Sequence, residues 1–163
     1  MKVLGIDPGL RVCGYALIET TADGDRLIEA GVFTTDVSAS LPLKLVSLAG
    51  DVAELLKRLK PDVVAVEELY SHYAHPKTAI LMGHARGVIL QSCAAATVEI
   101  NSFGATRIKK SITGNGRASK QQVQRAIQSR LALSRMPSPD DVADAIAAGL
   151  CCVNSLRRAF LKR

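Results

Sequence analysis

At 163 residues the chain is of single-domain size and long enough to bury one hydrophobic core. It is 48% hydrophobic but only 4% aromatic, with no Trp, so that core is built from Leu, Ile, Val and Ala. A net charge of +6, no apolar run near the ~20 residues of a membrane span, and no basic-then-apolar opening exclude a membrane helix and predict a cytoplasmic protein without a leader.

The run Val3-Leu4-Gly5-Ile6 reads as a strand buried on both faces, since it lacks polar alternation. Asp7 stands at its tip, and Pro8-Gly9 turns the chain directly afterwards. A carboxylate there is either a turn acid accepting backbone N–H groups or one member of a cation site. Arg11–Glu19 and Leu27–Thr35 read as two further strands, joined at Asp23-Gly24-Asp25 in an antiparallel meander. From Leu41 to Lys60, Leu45, Leu48, Val52, Leu55, Leu56 and Leu59 recur at helical spacing, and Pro61 closes the helix.

Val63-Val64-Ala65-Val66 repeats the opening design, a buried strand ending in acids, here Glu67-Glu68. Parallel neighbours in one sheet would bring Asp7 and Glu67 to the same end. Lys77–Ala96 reads as a helix whose Gly83, Ala85 and Gly87 permit close packing, equally within the core or against a second subunit. A short strand at Val98–Asn101 and a helix at Ala105–Ser111 follow, then a loop at Thr113–Gly116 and a helix capped by Ser119 that runs to Leu131. Ser138-Pro139-Asp140-Asp141 is a helix-start signal, in which Asp140 and Asp141 also complement the helix dipole. Asp144, three residues on, sits in a nearly all-apolar helix, where an unpaired carboxylate costs several kcal/mol, so it requires a cation. The basic end from Arg157 to Arg163 is expected to fray.

Charge is unevenly distributed. Between Glu99 and Asp140 the chain carries Arg107, Lys109, Lys110, Arg117, Lys120, Arg125, Arg130 and Arg135 and no acid, which leaves the remainder at −2. Such a segment is either a solvated helical face or a polyanion contact. Cys13, Cys93, Cys151 and Cys152 show neither metal spacing nor a disulfide framework and read as small core residues. Asp7, Glu67, Asp141 and Asp144, with no His or Cys set, fit hard cations such as Mg²⁺ or Mn²⁺ and two-ion phosphodiester chemistry.

Leu4-Gly5-Ile6-Asp7-Pro8-Gly9 with Gly14-Tyr15, Ala65-Val66-Glu67-Glu68, Gly83-His84-Ala85-Arg86-Gly87-Val88 and Asp141-Val142-Ala143-Asp144-Ala145 occur in an order that resembles the RuvC family of crossover junction endodeoxyribonucleases. The resemblance runs from Leu4 to about Ala148. It implies an α/β fold of ribonuclease H type, a five-stranded mixed sheet flanked by helices, within one domain spanning 1–163. It implies catalytic, metal-holding roles for Asp7, Glu67, Asp141 and Asp144, with two Mg²⁺ ions per subunit that Mn²⁺ can replace. Glu68 takes a non-catalytic place.

Further implications concern partners. The substrate implied is four-way junction DNA, cut by two symmetric nicks that leave 5′-phosphate and 3′-hydroxyl ends, by a homodimer whose contact helix resembles Lys77–Ala96. A branch-migration motor is an implied partner. Tyr70 takes the place of an aromatic that stacks on bases near the crossover, and Lys109 and Lys120 match phosphate-contacting positions. The basic stretch adds Arg107, Lys110, Arg117 and Arg125 as DNA-binding residues. His72, Tyr73 and His75 depart from the family pattern, as does Arg117. Alternatives are a non-cleaving junction-binding protein of the same fold, a nuclease for RNA in hybrids, and an actin-like ATP-binding domain, for which one domain is too few.

Overall fold

The computed structural model describes residues 1–69 and 76–160, with the side chain of Pro76 outside the description. Tyr70, His72, Tyr73, His75 and the last three residues therefore lie outside the described residues. The elements are β1 (Lys2–Asp7), β2 (Val12–Thr21), β3 (Gly24–Thr34), α1 (Leu41–Leu59), β4 (Val63–Glu67), α2 (Pro76–Ala95), β5 (Glu99–Phe103), α3 (Ala105–Thr113), α4 (Lys120–Arg130) and α5 (Asp140–Phe160).

The strands form one mixed sheet in the order β3-β2-β1-β4-β5. The first three are the expected antiparallel meander, and β1, β4 and β5 run parallel. Side chains alternate between faces with period two, and the buried residues divide accordingly. Val3, Ala16, Ile18, Val63 and Ala65 join the core under α3, α4 and α5. Leu4, Ile6, Leu17, Val64 and Val66 join the core under α1 and α2. Both faces of β1 and β4 are covered, which is why their sequences are unbroken apolar runs.

Helix α5 lies against the sheet closely enough that backbone meets backbone. A Cβ on Gly5 would collide with the carbonyl oxygen of Ala145 and lie 2.8 Å from the Gly149 nitrogen. A Cβ on Gly14 would collide with the carbonyl of Asp141. These two glycines thus fix where the acid-bearing helix crosses β1 and β2.

Several boundaries differ from expectation for local reasons. The β2–β3 hairpin pairs Thr21 with Gly24, so the turn is Ala22-Asp23 and Asp25 belongs to the strand. Gly24 takes a φ of 134°, open to glycine, and the pairing shifts between Leu17 and Ile18, where Ile28 is the extra residue of a bulge. α5 begins at Asp140, after Pro139, whose carbonyl accepts from the N–H groups of Val142 and Ala143. At the other end the helix continues through Arg157 to Phe160 where fraying is predicted, because Arg157 is anchored to Asp25 by bonds of 2.7 and 3.1 Å. The four cysteines are buried and unpaired, as their scattered positions predict.

Candidate active site

Register and alternation place the first two acids. Ile6 pairs with Val66 in the parallel β1–β4 ladder, so Asp7 and Glu67 are the next residues on adjacent strands, where strand spacing is about 4.8 Å. Both fall on the face of Gly5 and Ala65, which is the face covered by α5. Asp7 also pairs with Gly14 across β2, and Gly14 is the residue pressed onto Asp141. One turn of α5 then carries Asp144 over the same end of the sheet.

The electrostatics match this placement. Burial raises the pKa of Asp7 to about 7, assisted by repulsion from Asp144, Glu67 and Asp141, while Lys120 opposes the rise. Glu67 is also raised, by burial and then by Asp144, with Lys109 and Lys120 opposing. Asp144 is raised by burial and by Asp140 and Asp141, against the pull of Lys120. Each of the other three carboxylates thus enters the field acting on Asp7, the pattern of a shared anionic site.

The carboxylates are coupled but not closed around a common point. Among the described residues, no three Asp, Glu, His or Cys side chains gather as a metal-coordination shell does. Mutual repulsion separates like charges in a poorly solvated site, and a local cation draws one of them aside. Lys120 Nζ lies 3.4 Å from Asp144 Oδ2 and 3.3 Å from Asp140 Oδ2. The cation that Asp144 requires is therefore provided by α4. Its chemistry, all carboxylate oxygen, fits a hard divalent ion.

Lys120 is held by local sequence. Ser119 Oγ accepts from the Gln122 N–H at 3.2 Å while Gln122 Oε1 accepts from the Ser119 N–H at 2.8 Å, a reciprocal capping box. This fixes the first turn of α4 and directs Lys120 towards α5. Gln124 adds a bond of 3.1 Å to Asp140.

The remaining basic residues divide. Lys109 faces the acids, since its charge reaches Glu67. Arg107 stacks over Phe103 at 4.8 Å and donates to Ser155 Oγ at 3.1 Å. With Lys110 and Arg158 it lines a depression of about 540 Å³ that has no acid in its wall. Arg117 and Arg125 are exposed. Arg130 is not free for a partner: it donates to Asp25 at 2.7 Å and to Asn154 at 2.8 Å. Sequence reasoning missed Arg158, which it placed in a fraying tail, and Arg86, whose bonds to Glu67 and Ser102 only the fold reveals.

In α2, Ala85 is fully buried with Ile89 and Cys93, whereas a Cβ on Gly87 would have no neighbour within 4 Å among the described residues. The small residues thus serve two faces, one in the core and one open.

Comparison with known proteins identifies the family. The model of the family described as "Crossover junction endodeoxyribonuclease RuvC" matches residues 3–152. A crossover junction endodeoxyribonuclease RuvC of Rhodopirellula baltica is 48% identical over 151 residues, covering 91% of this chain and 84% of that one. That of Caldicellulosiruptor saccharolyticus is 41% identical, covering 95% and 93%. Among solved structures, Thermus thermophilus RuvC aligns with a TM-score of 0.90 at 29% identity, over 98% of this chain and 97% of that one. The same protein in complex with Holliday junction substrate aligns at 0.87 and 27% identity, over 97% and 96%. By sequence, fold and the order of its acidic motifs, the chain belongs to the RuvC family of crossover junction endodeoxyribonucleases.

Proposed function

We propose that the chain, acting as one nuclease domain over 1–163, resolves four-way DNA junctions by two symmetric, metal-dependent nicks that leave 5′-phosphate and 3′-hydroxyl ends. The observation that carries this reading is the placement of Asp7 at one strand tip beside Glu67 on the neighbouring parallel strand, a carboxylate raised to about 7 by burial and then by repulsion from three other acids of β4 and α5. Membership in a nuclease family sets aside the non-cleaving and ATP-binding alternatives.

Asp7, Glu67, Asp141 and Asp144 would hold the metal, Mg²⁺ by preference and Mn²⁺ as a substitute, in a pair per subunit. When bound, the ions supply an activated water and charge stabilisation at the departing 3′ oxygen. Asp7, more buried than Glu67 or Asp144, would be a central ligand of the set. Lys120 and Lys109 border the acids, where they can receive the flanking phosphates, and release of Lys120 from Asp144 frees that carboxylate for a cation. Arg107, Lys110, Arg117 and Arg125 supply salt-dependent affinity rather than base recognition, and Tyr70 is assigned to stacking near the crossover. Two active sites of one polarity require a homodimer, with the open face of α2 as its contact. A branch-migration motor is the expected partner, and the cytoplasm the expected location. No described helix is long and apolar enough to cross a membrane.

The test is incubation with a labelled mobile four-way junction, with and without Mg²⁺, beside linear duplex. Paired nicks in the junction alone, dependent on the ion and lost in Asp7→Asn while binding persists, are the expected result. Junction cutting by Asp7→Asn at the wild-type rate would overturn the site.

A further inference from the structure

The motif Gly83-His84-Ala85-Arg86-Gly87-Val88 has so far supplied only packing. Arg86 is its polar member and is half-buried between α2 and the strand tips. Its Nε donates to the Glu67 carbonyl at 3.0 Å, and its Nη2 donates to Ser102 Oγ at 2.9 Å. The next N–H along the chain, that of Glu68, donates to the Phe103 carbonyl at 3.0 Å. The peptide unit that follows Glu67 is therefore gripped at both ends, by α2 through its oxygen and by β5 through its nitrogen. Glu67 is the last residue of β4, where the ladder ends and the backbone would otherwise be free to turn.

We infer that Arg86 is a positioning residue for the Glu67 carboxylate, fixing the backbone from which that side chain reaches the acidic site. Its effect is geometric: the charges that lower the Glu67 pKa are Lys109 and Lys120, and Arg86 is not among them. A planar fork of donors spans a carbonyl and a hydroxyl at once, which an ammonium cannot reproduce. Helix α2 also carries the open face at Gly87, one residue from Arg86. A displacement of α2 by whatever covers that face would thus be transmitted to Glu67 through this side chain. The inference rests on Glu67 being a metal ligand, and its test separates the two.

Mn²⁺ binding to the metal-free, junction-free protein is measured by calorimetry for wild type, Glu67→Gln, Arg86→Lys, Arg86→Gln and Ser102→Ala. Thermal melts and junction binding without metal accompany each. The expected result is Mn²⁺ affinity reduced roughly tenfold or more in both Arg86 variants, as for other residues that orient a ligand. Ser102→Ala, which removes one anchor and leaves the charge, should be intermediate. It also keeps the question open to test should the Arg86 variants fail to fold. Cleavage should be recovered at high Mn²⁺ in Arg86→Lys, a recovery that a generally loosened fold would not give. If Glu67→Gln loses affinity while the folded Arg86 and Ser102 variants bind as wild type, the positioning role is wrong and the metal site stands. If Glu67→Gln itself binds as wild type, both fall.

Discussion

Lys120 Nζ and Asp144 Oδ2 stand 3.4 Å apart, joined across the gap between the start of α4 and the first turns of α5. The ammonium occupies a carboxylate that a divalent ion would claim, and it lowers the pKa of both Asp7 and Glu67. Lys120→Met should therefore strengthen Mn²⁺ binding severalfold at pH 8, because the competing cation is gone. It should also slow junction cleavage by roughly tenfold or more, as expected when a charged contact made in the transition state is lost. Calorimetry and single-turnover nicking read the two effects separately.

Asp7 sets a pH dependence of stability. Its folded pKa of about 7 lies above the ordinary aspartate value of 3.8, so the folded state binds the proton more tightly. That contribution is fully present below about pH 4 and is lost as pH rises through 7. Asp7→Asn removes it. The variant should melt higher than wild type at pH 8 without metal, converge with it near pH 4, and gain little from Mg²⁺, which should stabilise the wild type. A melting series in the presence of chelator, then of Mg²⁺, checks all three.

Asp25 works in the opposite sense. Its side chain is 5% exposed and accepts from Arg130, Arg157 and Thr20 at 2.7 Å each. These partners hold its pKa below the usual value against the opposing effect of burial. The stability it lends is present above pH 4 and is lost as pH falls below its unfolded pKa. Asp25→Ala leaves two arginines without their acceptor and should cost about 3 kcal/mol at neutral pH. Denaturant unfolding measures it. α4, α5 and the hairpin meet at this residue, so α4 should also lose protection from hydrogen exchange.

Gly14→Ala probes the seating of α5. The added methyl would strike the Asp141 carbonyl. The expected outcome is a destabilisation of about 3 kcal/mol or more, since backbone rather than a flexible side chain must move. Whatever protein remains folded should bind Mn²⁺ more weakly, because Asp141 is displaced from Asp7. Gly24→Ala, where a Cβ would meet nothing within 4 Å but the φ is 134°, serves as a control for backbone strain alone.

Junction affinity should report the depression beside α3. Lys110→Gln and Arg158→Gln should each reduce the slope of log affinity against log salt by about 1, with no change in the rate of chemistry at saturation. Arg130→Gln should leave that slope unchanged, since its guanidinium is bonded to Asp25 and Asn154.

What could be read from the chain follows from the range of each interaction. Strands β1 and β4 were legible because burial on both faces leaves no polar alternation to mistake. The acids at their tips were legible because a carboxylate ending such a run is conspicuous. The need of Asp144 for a cation was legible from its apolar helix, but the identity of that cation was not. Lys120 is 24 residues away, and only the capping box and the crossing of α4 over α5 bring it there. The hairpin turn was set two residues late because Gly24 attracts a turn assignment while Asp25 looks like its flank. In the structure the buried Asp25 side chain is the centre of a network that joins β2, α4 and α5. Arg130 shows why a basic stretch overstates the charge available to a partner: its guanidinium is engaged within the fold. The stacking role expected of Tyr70 and the departures from the family pattern at His72 and His75 concern residues outside those described.

The pairing of Ile6 with Val66 has one last consequence. Inserting a single residue into β1 between Val3 and Ile6 would rotate Asp7 to the α1–α2 side, away from Glu67, Asp141 and Asp144, even if the sheet itself survived. Two residues would restore the facing but push the carboxylate beyond the rim. The meeting of Asp7 with the other three acids is thus tied to the length of β1.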